Sequence, residues 1–152
     1  MPMLDRNARY KHLLPVDATI WRKHHLTHAA DYHTLEYDIH VGEGRDPGPE
    51  FPDNIRSMAI ALSERRIDVV ARGRSSTDII EVTHSAGFTA LGQLIAYPVL
   101  YAIKHPNAGP VRPVLVAGKI QSDIKPVLEK LQIRFYEYGA PESLPEPRSP
   151  RE

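Results

Sequence analysis

Residues 65–83, RRIDVVARGRSSTDIIEVT, hold the feature that most constrains the fold. Two runs rich in β-branched residues, RRIDVVAR and DIIEVT, flank the turn-forming GRSST, which reads as a β-hairpin. Shortly after it, FTALGQLIAYPVLYAIKH (88–105) has the length and apolar spacing of a long helix. RPVLVAG (112–118) is then a continuous apolar run, the mark of a strand covered on both faces. A hairpin continuing into strand–helix–strand predicts an α/β sandwich around a mixed sheet.

The flanking segments extend that pattern. VDATIWRKHHLTHAADYHTLEY begins helical, with Asp17 placed to cap it and Ile20, His24 and Leu26 among charged positions. HTLEYDIHVG alternates Leu35, Tyr37 and Ile39, as a half-buried strand does. EGRDPGPEFPDN, with three prolines and two glycines, is a loop. Asp53 then reads as an N-cap, and Ile55, Met58, Ala59 and Leu62 form the apolar stripe of a short helix. In the long helix Phe88, Leu91, Leu94, Ile95, Val99 and Ile103 gather mostly on one side, and Pro98 is expected to bend it. SDIKPVLEKLQ predicts a helix starting near Ser122 or Asp123, since Pro126 is tolerated only in a first turn. IRFYEY closes as a strand. Residues 1–34 form an N-terminal arm and helix, 35–138 the core, and 139–152 a Pro-rich, charged tail too poor in apolar residues to fold alone.

Composition excludes several classes. The 152 residues suit one domain, and a formal net charge of zero provides no global attraction to nucleic acid or anionic membrane. There is no cysteine, so disulfide and thiolate chemistry are excluded. No apolar run reaches a spanning length and the N-terminus has no signal-peptide core, so no membrane partner and a cytoplasmic location are expected.

Two acidic residues stand inside the hairpin strands. If the turn centres between Arg74 and Ser75, facing residue numbers sum to 149. Asp68 then lies opposite Glu81, and Arg66 opposite Thr83. Facing residues share a face, with β-carbons about 5 Å apart. Two carboxylates so placed repel unless a cation lies between them, and a hard divalent ion such as Mg²⁺ suits them. The alternative is solvent-facing carboxylates paired with Arg65, Arg66 or Arg72. On the following helix Gln93 and Tyr97 stand four apart and share a face with Ala86 and Ala90.

Asp68 in one strand, IIEVT in the next and QLIAY in the following helix resemble the PD-(D/E)XK nuclease superfamily. The Q-x-x-x-Y pair is similar to its RecB-like branch, and the resemblance spans residues 35–138. It implies a restriction-endonuclease-like three-layer sandwich, a mixed sheet with helices on both faces. It also implies Mg²⁺ or Mn²⁺ held by Asp68, Glu81 and the Val82 carbonyl, with Gln93 and Tyr97 flanking the site and DNA as partner. The family's E-x-K lysine is replaced here by Thr83, which is short and neutral and cannot orient water or stabilise phosphate charge. Arg66 is the candidate substitute cation; His84 should point to the other face, and Lys104 lies roughly 16 Å along the helix from Gln93. The expected role is therefore a degenerate nuclease-fold protein with impaired catalysis. It would bind nucleic acid, or join other chains or its own copies in a phage or mobile-element assembly, in which case it is a virion component. The alternatives are an active Mg²⁺-dependent nuclease and a plain α/β interaction module.

Other constellations point elsewhere. His24 and His28 have the i, i+4 spacing of a zinc pair, but H-E-x-x-H is absent and no third ligand is evident. No phosphate loop or glycine-flanked nucleophile occurs. The basic stretches RNARYKH and WRKHH are a candidate phosphate-contacting arm.

Overall fold

The computed structural model describes residues 12–139. The RNARYK part of the basic arm and the tail from residue 140 lie outside the described residues. The order is α1 (Pro15–His28), a 3₁₀ turn (Ala29–Asp31), β1 (Thr34–Val41), α2 (Asp53–Ser63), β2 (Arg65–Arg72) and β3 (Thr77–Ala86). It continues with α3 (Phe88–Lys104), β4 (Val111–Ile120), α4 (Lys125–Lys130) and β5 (Arg134–Glu137). The strands form one five-stranded sheet in the order β1-β2-β3-β4-β5. The first two pairings are antiparallel and the last two parallel. Parallel neighbours need a crossover, which α3 and α4 supply. The fold is thus α/β with a mixed sheet, as expected.

Helices cover both faces. On one, Ile20 and Trp21 of α1 pack against Val69, Ala71, Ile80, Val82, Val114 and Val116. On the other, Leu91 and Leu94 of α3 and Leu128 of α4 pack against Leu115, Ala117 and Ile120. Tyr97 and Tyr101 close that face over Val41, Val70 and Ile79.

The structure corrects several details. Asp17 does not cap α1: Leu14 holds that position with Pro15 opening the helix, and Asp17 reaches β3 instead. Pro52 rather than Asp53 precedes α2. The α2 stripe is not buried, since Ile55, Met58 and Leu62 are exposed. This helix is held at its ends by polar contacts, Arg56 on Asp46 and Ser63 on Arg45, and not by its apolar side. In α3 the buried stripe is Ala90, Leu94, Tyr97 and Tyr101, flanked by Leu91 and Pro98, while Phe88, Ile95, Val99 and Ile103 face outward. The helix is apolar nearly all round, so periodicity supports either side and the sheet decides. It continues through Pro98. Helix α4 begins at Lys125, with turn residues before it, and Pro126 sits in its first turn.

Candidate active site

The site forms where the sheet forks. Strands β2 and β3 pair from Arg72↔Thr77 to Val69↔Ile80, a register in which facing numbers sum to 149. Beyond Val69 and Ile80 the two strands part: β2 stays with β1, and β3 with β4. Asp68 and Glu81 are the next residues on each side of this opening. Asp38, opposite Asp68 in the β1 ladder, is also left out of the pairing and has a positive φ of 57°. Asp68 fills the gap itself, its Oδ2 accepting a hydrogen bond from the Val82 N–H at 2.9 Å. A carboxylate thus does what a neighbouring strand's carbonyl would do in an unbroken ladder.

Burial and mutual charge dominate the electrostatics. Glu81 is 5% exposed, and its Oε1 is buried without a hydrogen-bond partner. Burial pushes the Glu81 carboxyl far above the usual carboxylate range, and the negative charge of Asp68 pushes it further. Burial also raises Asp68, against the bond from Val82. Two crowded carboxyls of this kind share a proton until a cation replaces it. An orphaned buried carboxylate oxygen beside a second carboxylate fits a hard divalent cation. Among the described residues no three His, Asp or Glu side chains converge on one point. Such an ion would keep positions for backbone carbonyl, water or phosphate oxygens, as Mg²⁺ commonly does.

Above the acids lies a cleft of about 760 Å³. Asp68, Glu81, Val82, Thr83 and Arg66 line it from the hairpin, and Ala90 and Gln93 from α3. Gln93 Nε2 donates to the Tyr97 hydroxyl over 3.4 Å, so the two side chains act as one unit. Tyr97 itself is 7% exposed and belongs to the core over Val41 and Ile79; burial raises its phenol pKa.

The other candidate cations each have partners of their own, and only Arg66 departs from its expected place. Arg66 does not pair with Thr83, because the β2–β3 ladder ends before either residue. Its guanidinium grips Asp38 through Nε, at 2.7 Å, and Nη2. The Thr83 hydroxyl engages the Ser85 carbonyl at 3.2 Å. His84 turns to the α1 side, where the buried Asp17 accepts from its N–H at 2.7 Å and contacts its Nδ1 at 2.9 Å. Lys104 donates to the His40 carbonyl at 2.8 Å.

Cleft residues that the sequence patterns did not single out include Lys119 near the end of β4 and Gln121 just after it. The signal was present: Leu115, Ala117 and Lys119 alternate along β4, and the first two face α3 and α4. Among the described residues the histidine group forms no metal-binding cluster. His24 is fully buried, with Nδ1 at 2.6 Å from the Tyr138 hydroxyl and Nε2 at 3.1 Å from that of Tyr32. Both ring nitrogens are therefore occupied. Burial, then the neighbouring His28 and His25, lowers its pKa to about 4.

No family model matches the chain, and no curated protein matches it. Among solved structures, the protein of the EndoMS–dsDNA2 complex is similar at 17% identity with a TM-score of 0.47. The likeness covers 91% of this chain and 51% of that one, so the chain spans about half of its length. No helix among the described residues is long and apolar enough to cross a membrane.

Proposed function

We propose that this chain is a PD-(D/E)XK-type nuclease-fold protein that engages nucleic-acid phosphodiesters through a divalent cation held by Asp68 and Glu81. The observation that carries this reading is the forked sheet. Two carboxylates from separating strands meet at the base of an open cleft, one with a buried oxygen that nothing satisfies. When bound, the ion would polarise a phosphate oxygen and supply a metal-bound water as nucleophile. The chain's own residues orient the pair: the Val82 N–H fixes Asp68, and α3 brings Gln93 and Tyr97 alongside the cleft. Val82 follows Glu81 directly and would lend its carbonyl, in keeping with the RecB-like pattern.

The test uses purified protein with plasmid and single-stranded DNA in Mg²⁺ or Mn²⁺. Cleavage, or binding that requires the divalent ion, should fall about a hundredfold or more in Asp68→Asn and Glu81→Gln. Asn keeps an acceptor for the Val82 N–H, so that variant separates charge from folding. If neither cleavage nor binding responds to divalent ions or to these substitutions, the reading fails.

A second reading, binding or assembly without cleavage, is favoured by Thr83, whose short neutral side chain is turned to Ser85. Metal-dependent DNA binding with no product, persisting in Thr83→Lys, is the outcome expected of it.

A further inference from the structure

The cleft needs a positive charge that neither Thr83 nor Arg66 provides. A phosphate held through a divalent cation at Asp68 and Glu81 would carry negative charge that a further cation could balance. Arg66 lines the cleft, but its guanidinium is committed to Asp38. Lys104 is bonded at the far end of α3, and His84 lies on the opposite face of the sheet.

Lys119 remains. It is exposed, it lines the cleft, and among the described residues its side chain takes part in no hydrogen bond or ion pair. Its charge acts on Glu137, whose carboxylate is bonded instead to the Ile120 N–H and to Lys125. The register fixes where Lys119 stands. Thr83 pairs with Ala117 and Ser85 with Lys119 in the parallel β3–β4 ladder. Glu81 and Thr83 of β3 line the cleft, and Leu115 and Ala117 of β4 face the same side. Lys119 lines the same cleft two residues beyond Ala117, where the inward packing of Ala86 and Ile120 ends the strict alternation. Adjacent strands lie about 4.8 Å apart and two residues rise about 6.6 Å, so the Thr83 and Lys119 backbones stand about 8 Å apart. A lysine's flexible four-carbon stem spans much of that gap and brings a point charge toward the space above Thr83.

Resting on the nuclease-type reading above, we infer that Lys119 is the phosphate-binding cation of this cleft, supplied by the neighbouring strand in place of a lysine at position 83. The class of ligand is a nucleic-acid phosphodiester whose other oxygens meet the ion at Asp68 and Glu81.

Binding rather than turnover tests it. A short fluorescein-labelled DNA, duplex and single-stranded, is titrated with full-length protein by fluorescence anisotropy, in EDTA and in Ca²⁺, between about 50 and 200 mM salt. Lys119→Ala and Lys119→Gln should weaken binding about tenfold and lower the slope of log K against log salt by about one. Thr83→Lys placed in the Lys119→Ala background should recover most of the affinity and the slope. Lys130→Ala, on α4 outside the cleft, should change neither. If the Lys119 variants bind like the parent with an unchanged slope while Asp68→Asn loses the Ca²⁺-dependent part, Lys119 is excluded and the acidic site stands. If the parent binds no DNA in either buffer, the nuclease-type reading and this inference fall together. Lys119 is exposed on a strand end, so unchanged melting temperatures should accompany these losses.

Discussion

His24 shows how one buried side chain makes the whole chain sensitive to acid. Its imidazole is enclosed by Trp21, His28, Tyr136 and the hydroxyls of Tyr32 and Tyr138, and it folds in the neutral form. Its folded pKa of about 4 lies below the 6.5 of an unconstrained histidine. The unfolded chain therefore binds the proton more readily. The stabilisation is fully present above pH 6.5 and is lost as pH falls toward 4, amounting to about 3 kcal/mol at the acid limit. Thermal melts between pH 7 and pH 4 should show this fall. In His24→Gln, which cannot charge, the fall over that interval should be markedly shallower; an unchanged slope would falsify the assignment. Asp17 works by contrast through geometry, binding the backbone and ring of His84 so that α1 is tied to β3 beside the cleft.

At the level of elements, α3 is the helix whose buried side the apolar spacing misassigned, since Phe88, Ile95, Val99 and Ile103 face outward. Its two apolar stripes are similar in strength, and only the sheet chooses between them. Leu94, 1% exposed, is buried against Leu115 and Ala117, whereas Ile95 is 52% exposed. Leu94→Ala should cost about 2–5 kcal/mol in denaturant unfolding, and Ile95→Ala should stay within about 0.5 kcal/mol. Equal losses would place the buried stripe elsewhere. The same contrast explains what was legible beforehand. The hairpin, its register and the apolar β4 run could be read directly, because β-branched runs and alternation are local properties. The exposed α2 stripe and the role of Asp17 could not, since both depend on which element is near which in space. Lys119 lay between these cases: its alternation with Leu115 and Ala117 was visible, but its nearness to Thr83 required the β3–β4 register. The divergence of β2 from β3 before Val69 and after Ile80 was hidden too, because nothing in either strand's composition announces it.

Taken whole, the molecule is two half-sheets sharing β3, an antiparallel half toward β1 and a parallel half toward β5. Trp21 belongs to the cluster that joins β2, β3 and β4 on one face, while α3 covers the other. The acidic pair stands where the halves separate, so the cleft is a product of topology more than of any one loop. The fork also leaves the Val82 amide hydrogen-bonded to the Asp68 side chain and not to a backbone carbonyl. That amide is consequently a resident spectroscopic reporter. Adding Mg²⁺ to ¹⁵N-labelled protein should displace the Val82 cross-peak well before that of Ile80, which sits in the regular ladder one residue short of Glu81. Equal, small shifts at both would mean that the ion binds elsewhere. The amide would thus read out the charge state of the acidic pair without DNA, turnover or any added probe.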